Sequence, residues 1–145
     1  LLMVLVVWPQ VQKTGRDRQR TQDYTFLSTA ISDYSTNNNG KLSNILGGQV
    51  QKPLEPSKYI NETGNDPNGY PYVLYAVDCS TGCDDLNVST ADKTGSKVFV
   101  AIHADCSGVK DDDGSSKPKE NSSSRAFAIY GYLETGNGSF CVASQ

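Results

Sequence analysis

Four cysteines are the residues of this sequence best equipped for covalent chemistry: Cys79, Cys83, Cys106 and Cys141. An even number of thiols in a small chain rich in Ser, Thr and Asn favours disulfide bonds, and four thiols permit three pairings. A turn-forming Ser-Thr-Gly triplet separates the first two and lets them meet locally. We therefore predict a Cys79–Cys83 bond, which leaves Cys106 to pair with Cys141.

The other groups that could do chemistry are His103, the single histidine, and the acidic run Asp111–Asp113. Zinc bound by His103 and the thiols is the competing interpretation of the cysteines, although their spacing matches no common zinc pattern; free buried thiols are another. The acidic run, with Asp105, could hold calcium, but a solvated loop is the better interpretation. The sequence has no G-x-S-x-G, phosphate-loop or HExxH motif. We expect a core or surface histidine, no enzymatic activity, no metal and no cofactor.

The bulk composition indicates one small domain. The chain has 145 residues, 37% of them hydrophobic and 20% charged, which allows a modest core. A net charge of −3 gives no reason to expect nucleic acid as a partner. Ser, Thr, Asn and Gly are abundant after residue 35, and such residues suit turns, loops and a surface outside the cell.

The first quarter of the chain predicts one long helix. Four apolar side chains recur there at helical spacing: Tyr24, Leu27, Ile31 and Tyr34. Phe26 and Ala30 widen this stripe, and we predict a helix over Val11–Tyr34 that packs the stripe on a sheet. Its middle, 12–23, is polar nearly all round, which is typical of a helix that bridges two packed regions through solvent. The run Asn37–Gly40 ends the helix, because Asn and Gly accept the left-handed conformation of a C-cap.

The remainder of the chain predicts a loop region over 37–70 and then a sheet over 71–145. Four segments have strand patterns: Tyr72–Val77, Lys97–His103, Arg125–Leu133 and Ser139–Val142. A five-residue turn joins the last two as a hairpin, and Asp111–Ser124 predicts an exposed, mobile loop. The expected fold class is α+β: a long N-terminal helix packed on a small antiparallel meander of three or four strands.

Residues 1–11 form an apolar arm that stands apart from the globular part, 12–145, whose helix is expected over 12–36. Residues 1–8 are all apolar, yet an eight-residue helix rises only about 12 Å, and a membrane span needs roughly 20 apolar residues. A helical arm that is apolar on every side has to be surrounded by lipid or by other copies of itself. The residues expected at this polymer interface are Leu1, Leu2, Met3, Val4, Leu5, Val6, Val7, Trp8, Pro9 and Val11.

This arrangement resembles the type IV pilins and the related pseudopilins of type II secretion, in which an apolar N-terminal helix continues into a polar half packed on an antiparallel sheet. The apolar run ends at Pro9, where the family has a helix-weakening proline. Gln12–Ser43 is similar to the family's Arg/Gln/Asp-rich helix with its "NNGKLP"-like end, with Ser43 where proline is common. Asn65–Ala76 resembles the family's "DP-x-G-x-x-Y" approach to the sheet, and a C-terminal hairpin closing on Cys141 resembles pilins whose tail is tied down by a disulfide.

The resemblance implies the pilin fold and a structural function. The chain would be the major subunit of a type IV pilus, an extracellular surface filament for adhesion and, with a retraction motor, twitching motility. Before assembly it would be anchored in the cytoplasmic membrane by its N-terminal helix. Its partners would be copies of itself, the pilus assembly platform and a motor ATPase. The family's first residues, among them a glutamate, correspond to positions before Leu1 and match no residue here.

Pro9 predicts a weak point in the arm. It lacks a backbone donor and its ring clashes with the carbonyl of Leu5, and the neighbouring valines are only modest helix formers. We expect Leu2–Gln10 to be locally extended or unwound in a fibre, which would let the fibre stretch. A simple kinked helix is the alternative.

A basic cluster follows the arm: Lys13, Arg16, Arg18 and Arg20, with Asp17 and Asp23 among them. These charges could pair with neighbouring subunits in a filament wall or form a solvated helix face. Because acidic residues compensate them, they are too weak a signal for nucleic acid.

Two other functions stay open on the sequence. One is a pseudopilin of a type II secretion or DNA-uptake system, and the many exposed polar residues argue mildly against it. The other is a secreted, disulfide-bonded binding domain in which residues 1–8 are a signal-peptide remnant. The lack of a basic n-region and of an A-x-A-type cleavage site argues against that function.

Overall fold

The computed structural model describes residues 2–37, 39, 51–53, 67, 69, 72–83, 86, 96–109, 116–134 and 138–144. Residues 2–10, 51–53, 73, 96, 109 and 116 are described by their backbone alone. Within these ranges the elements are, in chain order, α1 (Leu2–Asn37), β1 (Gln51–Pro53), β2 (Tyr72–Asp78), β3 (Ser96–Ile102), β4 (Ala104–Val109), β5 (Ser116–Glu120), β6 (Phe127–Tyr132) and β7 (Ser139–Ala143). The fold is α+β, with a helix on one face of a sheet.

The helix α1 is continuous and begins earlier than the sequence predicts. It runs from Leu2, not from Val11, and includes Pro9. A single proline removes one hydrogen bond of the ladder, and the helical turns on either side of Pro9 keep the helix continuous past it. The isolated chain is therefore helical over the arm, while the unwinding expected in a fibre stays a prediction. The helix ends at Asn37, and Asn39 then adopts a left-handed φ of 57°.

The main sheet has five strands in the order β1-β2-β3-β6-β7. β2 and β3 are parallel, with Tyr72 beside Ser96 and Asp78 beside Ile102, whereas the other pairs of this sheet are antiparallel. The prediction of an antiparallel meander of three or four strands is therefore wrong. The connection 79–95 makes the parallel pair possible, because it exceeds the dozen or so residues that a crossover needs.

A second, two-stranded sheet corrects the prediction of a mobile loop over Asp111–Ser124. Residues 116–120 form β5, which pairs with β4 in an antiparallel hairpin, and Pro118 is fully buried. Gly108 faces β5 so closely that an added Cβ would lie 2.8 Å from the carbonyl oxygen of Lys117. Polar composition predicts a loop here, but cross-strand pairing and contacts with β6 and β7 supply the order.

The core lies on both faces of the main sheet because strand side chains alternate. On β3, Val98, Val100 and Ile102 face the helix, whereas Phe99 and Ala101 face the opposite side with the disulfides. The β4–β5 hairpin contacts β6 and β7, and its Ala104 belongs to that second cluster. The sheet is thus a middle layer with the helix on one side.

Candidate functional site

The helix α1 leaves the globular domain at a sharply defined point. Residues 11–15 are exposed, Arg16 is half-buried and Asp17 is buried. At 1.5 Å per residue, the part of the helix before Asp17 is roughly 22 Å long. The same helix therefore has a segment packed on the domain and a segment that continues past the packed one.

An ionic cluster marks this exit point and joins the helix to the segment after β6. Arg16 makes a two-pronged contact with Glu134, from Nε to Oε2 at 2.6 Å and from Nη2 to Oε1 at 3.0 Å. Arg20 Nη1 donates to Glu134 Oε2 at 2.8 Å and to Asp17 Oδ1 at 2.9 Å. The backbone N–H of Glu134 also donates to Asp17 Oδ1, at 2.8 Å. Two cations and two carboxylates thus form one network of ion pairs within the chain.

Burial and pairing shift the acid–base behaviour of this cluster. The Arg20 side chain is 0% exposed, so its charge depends on its partners. The hydrogen bond from Arg16 lowers the pKa of Glu134, and the bond from Arg20 adds to this against the opposing effect of burial. The hydrogen bond to Glu134 raises the pKa of Arg16. Arg16 and Glu134 are therefore both charged at neutral pH.

The buried stripe of α1 is longer and more polar than the sequence predicts. Its members recur every three or four residues: Asp17, Arg20, Tyr24, Leu27, Ala30 and Ile31. The expectation that the polar middle of the helix bridges through solvent is therefore wrong at Asp17 and Arg20. Phe26, expected to widen the stripe, is instead 69% exposed, because it lies off this series on the other side of the helix. Tyr34 is half-buried against the same core.

Aromatic side chains anchor the helix beside the ionic cluster. Tyr24 Oη donates to the carbonyl oxygen of Tyr132 at 2.9 Å, and its ring stacks on Phe140 with centroids 6.2 Å apart. Tyr72 meets Tyr24 edge-on and donates to Asp23 Oδ2 at 2.7 Å. The Arg20 guanidinium lies 5.4 Å from the ring centroid of Tyr132. The packed segment of α1 is thus bonded to both β6 and β2.

Sequence reasoning missed Glu134 and the buried role of Arg20. A signal for the latter is present, because Asp17 and Arg20 continue the three-and-four spacing of Tyr24 and Leu27. The basic cluster was expected either to pair with neighbouring subunits or to form a solvated helix face, and the structure shows a third arrangement for two of its members. Arg16 and Arg20 pair within the chain, whereas Lys13 and Arg18 are exposed.

The residues expected at the polymer interface are described only in part. Leu1 lies outside the described residues. Residues 2–10 are helical and are described by their backbone alone. Val11 is 54% exposed. In the described part of the chain, the helix lacks the length of apolar sequence that a membrane crossing requires.

Both disulfides predicted from the sequence are present. Cys79 bonds to Cys83 and Cys106 bonds to Cys141. The second bond joins β4 to β7 and so fastens the C-terminal strand to the hairpin. The zinc and free-thiol alternatives are wrong, because all four thiols are oxidised.

We expect the two disulfides to contribute unequally to stability. Cys106 and Cys141 are 35 residues apart and the other pair 4, so the longer loop restricts the unfolded chain more, by about 2 kcal/mol. Urea unfolding of the Cys106→Ala/Cys141→Ala and Cys79→Ala/Cys83→Ala variants measures this difference. Equal losses would show that native contacts, not loop length, decide the effect.

The histidine and the acidic residues that the sequence offered for chemistry or metal binding are described only in part. His103, at φ 53° between β3 and β4, places Nδ1 2.9 Å from Asp78 Oδ1, half-exposed. Asp105 bonds to Ser107 and accepts from Asn121 Nδ2 at 2.9 Å. Asp111–Asp113 lies outside the described residues. Over the described ranges, no three His, Cys, Asp or Glu side chains are grouped to hold a metal ion.

The ionic cluster and the Tyr24 anchor hold one segment of a 36-residue helix on the sheet, so the adjoining exposed segment leaves the domain at a set angle. Because this exposed segment of α1 has a fixed orientation, every copy of the chain presents the same helix surface to other molecules. Comparison with protein-family models, with curated proteins and with solved structures finds no match to this chain.

Proposed function

We propose that this chain is the major structural subunit of a type IV pilus and has the pilin fold. Copies would polymerise through the apolar N-terminal segment of α1 into an extracellular filament that serves adhesion and, with a retraction motor, twitching motility. The function is structural and involves no catalysis. Before assembly the same segment would anchor the subunit in the cytoplasmic membrane, and the assembly platform and motor ATPase would be its partners.

The observation that carries this proposal is the division of α1 into two segments. The packed segment is bonded to the sheet from Arg16 onward, and the residues just before it, 11–15, are exposed. The helix then continues into the apolar sequence of the arm. The resemblance of Gln12–Ser43 to the pilin helix supports the same function. The parallel pairing of β2 and β3 departs from the antiparallel sheet of that family.

Burial of the arm would supply the energy of assembly. Burying a Leu or Val side chain is worth about 1.5–3 kcal/mol against water, so residues 1–8 together supply on the order of 10 kcal/mol. The gain over lipid is much smaller, because lipid tails are also apolar. Extraction from a membrane would therefore need external work, whereas escape of the subunit into water would be strongly opposed.

Electron microscopy of the full chain transferred from detergent into detergent-free buffer tests the proposal. We expect long filaments from the native chain and none from the Val6→Asp variant, because an aspartate in the arm cannot be buried among apolar side chains. Ser32→Asp places the same charge at an exposed position of α1 and should still form filaments. The melting temperature of the globular domain should be the same in all three.

Three results would contradict the proposal in different ways. A native chain that stays monomeric without detergent would favour the secreted binding domain. Filaments of undiminished length from Val6→Asp would show that the arm does not carry assembly. Short filaments formed only on overproduction would favour the pseudopilin.

A further inference from the structure

Eight exposed residues lie on the side of α1 that faces away from the sheet, and the apolar or charged ones among them are Val11, Arg18, Phe26 and Asp33. At 3.6 residues per turn they fall within about 80° of one another around the axis. Val11 and Phe26 are the exposed large apolar side chains of the described residues, 54% and 69% exposed. We call this side the outer face.

Gly15 lies on the outer face, and packing within the chain does not account for it. A Cβ added at this position would have no atom within 4 Å. Glycine in a helix interior is destabilising, because it loses more backbone entropy than any other residue. A neighbour outside the chain that approaches the helix backbone closely would account for a glycine here, since side-chain size sets the distance between packed helices.

The spacing of the outer face is self-complementary. Phe26 follows Val11 by fifteen positions, and Asp33 follows Arg18 by the same fifteen. A second helix that runs parallel to the first and is shifted by fifteen residues, about 22 Å, therefore brings both pairs together at once. One pair is apolar and the other is of opposite charge.

We propose that the outer face binds the same face of a second copy, with Val11 and Arg18 of one copy against Phe26 and Asp33 of the next and the backbones closest at Gly15. This inference rests on the proposed function, because it names the contact between subunits. A shifted contact of this kind leaves one half of each face open to a further copy, so it extends into a filament instead of closing.

A second copy fits this face better than lipid or an unrelated helix. The exposed guanidinium of Arg18 lies between the two apolar residues, and burying it unpaired in lipid would be costly. Val11 is one helical turn from Gly15 and ends the apolar arm. A helix that packs along the arm therefore passes Gly15.

A charge exchange tests the contact. Arg18→Asp and Asp33→Arg should each raise the critical concentration for assembly of the full chain about tenfold at low ionic strength, because each places like charges together. The double variant Arg18→Asp/Asp33→Arg should return it to near the native value. Arg125→Asp, a charge reversal at an exposed position off the helix, is the matched control and should leave it unchanged.

Gly15→Ala should act in opposite directions on folding and assembly. The methyl group meets no atom in the single chain, so the melting temperature should rise by about 3 °C. The same methyl group should hold the two backbones apart and raise the critical concentration about tenfold.

The outcomes separate this inference from the proposed function. Suppose that the native chain forms filaments but the critical concentration of the double variant is raised as much as the two single variants together predict. This result would overturn the inference and leave the proposed function standing. Association that survives Val6→Asp, is weakened by each single charge reversal and is restored by the double variant would overturn the proposed function and support the contact. Closed dimers would overturn the contact as well, because a shifted contact cannot close. Native protein that never associates would overturn both.

Discussion

Gly131→Ala is expected to destabilise the fold by about 3 kcal/mol. Gly131 lies in β6 directly under the ring of Tyr24, and an added Cβ would be 2.6 Å from Cε2 of that ring. Tyr24 is 1% exposed and is held by Phe140 and by the carbonyl oxygen of Tyr132, so the ring cannot move aside without losing both contacts. Thermal or urea unfolding of the full chain measures the loss.

A double-mutant cycle identifies the cause of that loss. In the Tyr24→Ala background the Gly131→Ala change should cost less than 1 kcal/mol, because the ring that it would strike is gone. Full additivity of the two losses would contradict the close approach and point to the strand backbone instead. Gly138→Ala is not a suitable control, because its φ of 78° strains any other residue; Gly15→Ala has open space and no such strain.

Glu134→Gln is expected to cost about 3 kcal/mol at pH 7, because it leaves the buried Arg20 with one carboxylate in place of two. The same change removes the carboxylate to which Arg16 donates two hydrogen bonds, from Nε and Nη2. Glu120→Gln changes an exposed carboxylate on β5 and should cost less than about 0.5 kcal/mol. Equal losses for the two variants would show that the ionic cluster does not hold the helix to the domain.

The pH dependence of stability follows from the lowered pKa of Glu134. Pairing with Arg16, aided by Arg20, lowers its pKa in the folded chain below the ordinary 4.5, so the folded state binds a proton less readily than the unfolded state. Its stabilising contribution is present above pH 4.5 and is lost as the pH falls through the folded value. Asp78 and Asp105 also have lowered pKa values and add to the acid sensitivity. The stability of the Glu134→Gln variant should therefore depend less steeply on pH below pH 4.5 than that of the native chain.

Several features were predictable because neighbours along the chain decide them. Tyr24, Leu27 and Ile31 repeat at the helical period, so the face that packs could be read from their spacing. The Cys79–Cys83 bond spans a short turn, and with four thiols it leaves a single partner for Cys106. The segments that became β2, β3, β6 and β7 carry the β-branched and aromatic residues that favour strands.

Other features depend on partners far away in the chain. Arg20 is followed by a polar stretch and looks solvated, but Glu134 lies 114 residues later and pairs with it. β5 is composed of Ser, Lys, Pro and Glu and has no strand signal of its own, yet pairing with β4 orders it. The direction of β3 relative to β2 depends on the path of the connection between them, which strand composition does not encode.

By itself, the sequence determined the helix and its packing stripe, the disulfide pairing and the α+β class, because periodicity and turn chemistry act over a few residues. Only the tertiary structure decided where the helix leaves the sheet and that Arg16 and Arg20 pair with Glu134 within the chain. It also decided that Gly131 lies against the ring of Tyr24, whereas Gly15 faces open space. The physical reason is that a buried charge or a missing side chain has meaning only through the atoms around it. Those atoms come from strands more than a hundred residues away.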